Sequence, residues 1–302
     1  MQPITLSLRS LFILSAFAVS SSCFAWGSAP PSNPGSPDTP TNPKPPSNPT
    51  PPSKPDTAAI LSDITQIASS SSCAAYSWQN RGRAPAGYVQ GMAITFAKSL
   101  CRQRSGESPA KLMATKNTGD ADKDALTWYE SAFDSRNLQI DISGAETLRS
   151  LYTLGIGLGM RESSGKYCEG YDVSAGTPTA TTAEAGMFQT SYNSSNVSAE
   201  LRKIYAEYKA DRSKCYLDVF KKGVSCTARA NVGTGEGLAF QELAKSCPAF
   251  AAEYAMASLR VLRKHYGPIN RKEAEVNSSC NQMLDSVQEY VESRPANVCD
   301  VL

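Results

Sequence analysis

The chain has 302 residues, with 30 Lys and Arg against 28 Asp and Glu, a single His and nine Cys. Charge this balanced and mixed, without a basic stripe interleaved with aromatics, argues against a nucleic-acid groove. The lone histidine, His265 in "LRKHYGPIN", lies near a predicted helix end and reads as a cap or packing residue, which sets aside Ser-His-Asp and Cys-His catalysis and His-rich zinc sites.

At the N-terminus Arg9 precedes a short apolar run, residues 11–19, followed by small residues. That is the outline of a signal peptide over 1–25, with cleavage after Ala25 and Ala18 as the alternative. The run is too short for a membrane span. Cys23 raises a lipoprotein reading, but Ser20 stands where a lipobox carries Leu, so a secreted or periplasmic protein is the main expectation. Residues 26–56 read as a linker: 12 of the 19 prolines fall between 28 and 56, and proline favours extended, donor-poor backbone that packs no core.

From residue 57 the composition changes, and 57–302 is expected to form one large domain or a core with helical additions. Without Cys23, the eight cysteines that remain all lie in this region and make up to four disulfides in an oxidising compartment. Their connectivity is unreadable, and no Cys-x-x-Cys points to redox or zinc chemistry.

The periodicity is mainly helical. Residues 57–73 read as a capped helix. Val89, Met92, Phe96 and Leu100 recur at helical spacing, as do Leu201, Ile204, Tyr205 and Tyr208. Leu259 and Leu262 with their Ala/Met-rich upstream neighbours predict another helix, stopped by Gly267-Pro268, and a further one runs from 283 to 290. The Thr-rich stretch 177–192, "TPTATTAEAGMFQTSY", is the strand signal and is expected to form a small hairpin or cleft wall. The fold class is therefore mainly α, an α+β domain stapled by disulfides.

Several motifs fail on inspection. Ser163 to Lys166 reads S-x-x-K, but neither S-D-N nor K-T-G occurs. Gly155, Gly157 and Gly159 sit in a helical pattern and predict close helix approach rather than a phosphate loop. Asp120, Asp122 and Asp124 resemble the start of a calcium loop, but its glycine is Ala125 and its twelfth residue Ser131; a solvated acidic helix start is the expectation.

Carboxylate chemistry survives this elimination. In the helix ending near Ser164, Leu148, Leu151, Gly155 and Leu158 share a face, and Glu162 continues it. Desolvation at the rim of such a face raises a carboxyl pKa, as a general acid requires. A Glu paired with Arg161 or Lys166 at a helix end is the structural alternative. Helix position leaves both readings standing.

"RESSGK" followed by "AGMFQTS" resembles the two signatures of goose-type lysozymes and their lytic transglycosylase relatives. Glu162-Ser163-Ser164-Gly165-Lys166 matches the first and Gly186-Met187-Phe188-Gln189 the second, with Gly186 24 positions after Glu162. The resemblance covers residues 155–192. It implies a lysozyme-like helical domain with a small β-hairpin at the cleft, Glu162 as general acid, and sugar subsites lined by Gln189 and the backbone near Met187. Tyr254 is the candidate for the family's cleft tyrosine, a core role being the alternative. The Asp that commonly follows the second signature is replaced by Thr190-Ser191. Glu184, then Asp172 with Glu169, are the candidates for a second carboxylate. The function so implied is hydrolysis of β-1,4 linkages in peptidoglycan or a related amino-sugar polymer, de-N-acetylated forms included. No metal or organic cofactor is called for. The alternatives are lytic transglycosylation with Glu162 alone and a non-catalytic wall-binding module.

Overall fold

The computed structural model describes residues 56–171, 176–227 and 231–302, which fall within one compact unit. The expected signal peptide, Cys23, all of the linker but Asp56, and Asp172 lie outside the described residues.

The first helix, Thr57–Ser70, starts where Asp56 accepts from the Ala58 and Ala59 N–H groups, satisfying donors that have no partner inside the helix. Ser71 then caps a separate turn, Ser72–Ala75, so the expected single helix to residue 73 is two. A tight antiparallel hairpin follows, Ser77–Trp78 against Gly82–Arg83. It turns through Asn80 at φ 59° and Gly82 at φ 70°, residue types that tolerate left-handed backbone. This is the one sheet among the described residues. The 177–192 stretch forms instead a single bridge, Ala185 to Thr190, because its four intervening residues close into a turn with no strand on either side.

The central helix, Ala145–Ser163, is the spine of the domain. It packs against the helices Ala86–Arg104, Ser108–Ala114, Pro248–Leu259 and Ser278–Ser293. Its glycines allow this at close range. A Cβ on Gly155 would stand 2.3 Å from Met256, one on Gly157 2.2 Å from the Glu275 carbonyl, and one on Gly159 2.2 Å from the Tyr88 hydroxyl. The predicted apolar faces are buried: Val89, Met92, Phe96 and Leu100 on one helix, and Leu201, Ile204, Tyr205 and Tyr208 on Ala199–Ala210. Each such side chain contributes about 1.5–3 kcal/mol relative to exposure.

Two expectations are corrected. The Pro248–Leu259 helix ends well before Gly267-Pro268. The Arg260 guanidinium is held by both Asp124 oxygens (2.9 Å each) and by carbonyls of residues 112–116, which turns the chain off the helix axis. Pro268 then opens a short helix, Gly267–Asn270, as proline's fixed φ permits at a first turn. Asp124 is correspondingly no solvated acid: it is fully buried and caps Ala125–Trp128 through the Leu126 N–H.

All eight described cysteines pair: Cys73–Cys280, Cys101–Cys299, Cys168–Cys226 and Cys215–Cys247. The first two join N-terminal helices to the last two, and the third ties down the loop that leaves the central helix. Among the described residues no helix is long and apolar enough to cross a membrane.

Candidate active site

The central helix ends at Ser163 in a left-handed cap. Ser164 has φ 56° and ψ 33°, and the Gly165 N–H reaches back to the Gly159 carbonyl at 3.1 Å, closing the orphan carbonyls of the last turn. Gly165 is required twice over: its φ is +72°, and a Cβ would meet the Tyr88 ring at 2.7 Å.

Ser163 then joins the two sequence signatures physically. Its hydroxyl donates to the Met187 carbonyl at 2.9 Å, while Met187 and Phe188 are fully buried and anchor their turn in the core. Gly186 enters that turn at φ +76°, with its N–H on the Glu169 carbonyl at 2.8 Å. Gln189 leaves it at φ 48° and donates from Nε2 to the Gly186 carbonyl at 2.9 Å.

Glu162 is thereby directed into a polar cleft of about 520 Å³, shared with Arg81, Glu184, Gln189, His265, Arg271 and Glu273. It is half-buried. Among the described residues no hydrogen bond or ion pair reaches its carboxylate. Desolvation first, and the neighbouring Glu184 charge second, push its pKa up to about 8, against the pull of Arg271 and Arg81. The alternative pairing with Arg161 does not occur: Arg161 turns to Glu273, at 3.2 Å. Lys166 is exposed and makes no ion pair among the described residues.

The remaining charges are ordered around this carboxyl. Arg271 contacts Glu273 through Nε and Nη2, at 2.8 and 3.0 Å. With Arg161 it holds Glu273 down at about 2, so that group stays an anion. His265 Nε2 lies 3.1 Å from the Gln189 carbonyl, an acceptor that requires the proton on Nε2. Burial lowers the imidazole below its usual range, leaving it neutral beside Glu184, whose Oε1 is 3.9 Å away.

The structure therefore brings together three of the candidates read from sequence: Glu162, Glu184 and Gln189. Met187 contributes its carbonyl to Ser163 and buries its side chain. Tyr254 is fully buried, its hydroxyl 2.8 Å from Ser194 Oγ and its ring against Phe240 and Phe250, so it lies in the core behind the cleft. Glu169 holds Gly186 through its backbone and does not line the cleft. Four titratable lining residues had no part in the sequence reading of the site: Arg81, His265, Arg271 and Glu273. His265 was read as packing. Arg81 sits in the tip of "WQNRGR", where Asn and Gly were available turn signals. Nothing in "NRKEAE" distinguishes Arg271 and Glu273 from a solvated charge run.

Among the described residues no group of three or more His, Cys, Asp or Glu is placed to hold a metal ion. Compared with known proteins, the chain matches no family model, no curated protein and no solved structure.

Proposed function

We propose that the protein is an exported, lysozyme-like glycoside hydrolase that cleaves β-1,4 linkages in peptidoglycan or a related amino-sugar polymer. The observation that carries this reading is Glu162: a carboxyl at the end of a buried helix, without hydrogen-bond or ion-pair partner among the described residues, facing a polar cleft and protonated at neutral pH. Such a group holds a proton ready for a glycosidic oxygen, the task of the general acid.

Glu184 is the proposed second carboxylate. Its charge is felt by Glu162, and it lines the same cleft with Oε1 3.9 Å from His265 Nε2, where it would receive a proton from an attacking water. In this mechanism Glu162 protonates the leaving oxygen while Glu184 activates water, and bond cleavage is completed by addition of that water to the anomeric carbon. Four disulfides fit an oxidising, extracytoplasmic destination.

The test is digestion of intact and chemically de-N-acetylated peptidoglycan by the full chain and by Glu162→Gln, with mass spectrometry of the released fragments. Hydrated fragments that vanish with Glu162→Gln are the expected result. Anhydro products would replace hydrolysis by transglycosylation and remove Glu184 from the chemistry. Binding to both substrates without release of fragments would replace the enzyme by a wall-binding module.

A further inference from the structure

Three guanidiniums face the Glu162 cleft, those of Arg81, Arg161 and Arg271. Arg161 and Arg271 converge on Glu273. Arg81 contacts no carboxylate among the described residues. Its Nη2 donates to the Arg161 carbonyl at 2.6 Å, which holds the positive head beside the residue that precedes Glu162. Two of the three guanidiniums thus share one carboxylate, Glu273, and Arg81 is the one held by a carbonyl. A guanidinium fixed by a neutral carbonyl, with nitrogens to spare, is suited to a planar or tetrahedral oxyanion.

The hairpin that carries Arg81 also borders a second cavity, of about 690 Å³, through Gln79 and Asn80. Arg161 and Glu273 line both spaces, so their ion pair is a common wall. Beyond it stand Tyr76, Tyr129 and two more cations, Arg136 and Lys272, neither within ion-pair distance of a described carboxylate. A linear neutral strand would fill the cleft and leave this side space unused. A strand bearing an acidic side group would use both.

Resting on the glycosidase reading above, we infer that the substrate strand carries an anionic side group, a carboxylate or a phosphate, and that Arg81 is the residue that binds it at the wall between the two cavities. The carboxylate would come from a short acidic peptide on the sugar and the phosphate from a sugar ester, with the same chemistry at Arg81.

The experiment compares three soluble strands cut by the full-length protein: one with peptide side groups, one stripped of them, and one stripped and then phosphorylated on its sugar hydroxyls. Wild type is expected to cut at least one anionic strand about tenfold better than the stripped strand. Arg81→Gln erases that preference by raising KM on the anionic strands, whatever smaller change in kcat its loss from the Glu162 cleft brings to all three strands alike, and Arg81→Lys retains part of the preference. Which anionic strand is preferred identifies the source. Equal rates of wild type on all three strands, or an Arg81→Gln variant that keeps the wild-type preference for the anionic strand, would overturn the inference. If no strand is cut, the glycosidase reading falls and binding of the same strands decides: anion-dependent binding lost in Arg81→Gln upholds the site, and binding indifferent to Arg81 removes it. A matched thermal melt for each variant separates these results from misfolding.

Discussion

Two glutamates, each set into an apolar helix, meet opposite fates. Glu253, in Pro248–Leu259, is fully buried, and its carboxylate is surrounded: Arg102 Nη1 at 2.5 Å, the Tyr208 hydroxyl at 3.0 Å, Ser99 Oγ at 3.1 Å and Lys98 Nζ at 3.7 Å. Arg102 in turn reaches Glu107 and Glu207. Glu162 is less deeply buried, yet it has neither hydrogen bond nor ion pair among the described residues. Burial alone therefore does not mark a reactive carboxyl. Buried charge that is fully partnered holds the helices in register; a carboxyl that is desolvated and left alone keeps its proton and is poised to give it away.

The sharpest way to break this comparison is to remove the two groups in turn. Glu162→Gln is expected to lower kcat by about 10²–10⁴-fold, the usual weight of a general acid, while leaving the urea midpoint at about pH 5 near that of wild type, since no partner is orphaned and Glu162 is there still protonated. Glu253→Ala is expected to do the reverse. It takes from Lys98 and Arg102 the buried carboxylate they share, leaving Arg102 only Glu107 and Glu207 nearer the surface, and costs about 3–5 kcal/mol of stability, with kcat of the molecules that still fold little changed. Equal stability losses in the two variants would erase the distinction.

Proton linkage gives a subtler contrast. Between about pH 4.5 and about pH 8 the folded chain keeps the Glu162 proton that the unfolded chain has released, so wild type loses stability as pH rises through that window. Glu162→Gln abolishes this component, and the difference between urea midpoints measured at pH 5 and pH 9 should shrink in the variant. Activity that needs the protonated carboxyl falls above about pH 8. Glu184→Gln removes the second cause of the raised pKa, so it should move this alkaline limb to lower pH as well as reduce the rate. An unmoved limb would separate the two carboxylates. The smallest effect belongs to Ser163→Ala, which loses the bond to the Met187 carbonyl. About 1 kcal/mol of stability and a few-fold loss of kcat are expected, measured by denaturant melts and initial rates.

Legibility from sequence followed the range of the interactions. The apolar face that ends in Glu162 and the faces of the long helices are local patterns, and the helices formed where those patterns lie. Glu184, Gln189 and Glu162 were within reach because the second signature follows the first in the same short span. Arg81, His265 and Arg271 were not, because they arrive from segments far along the chain, and their role depends on which carboxylate each one meets. The hairpin was expected at 177–192 for its threonines, whereas two-residue strands at 77–83 need only a turn between them, and two residues leave no periodicity to detect. Glu253 was missed for the opposite reason. A single acid in "AAEYAMASL" breaks no pattern until Arg102, on another helix, comes to meet it.

The disulfides have a consequence for the chain as a covalent object. Cys73–Cys280 and Cys101–Cys299 enclose almost the whole described domain. One cut by a protease anywhere between residues 101 and 280 leaves the two fragments linked at least twice. A nicked molecule should therefore migrate as a single species until reductant is added, and only then separate into two pieces. A first cut is thus damage that this domain can carry without coming apart.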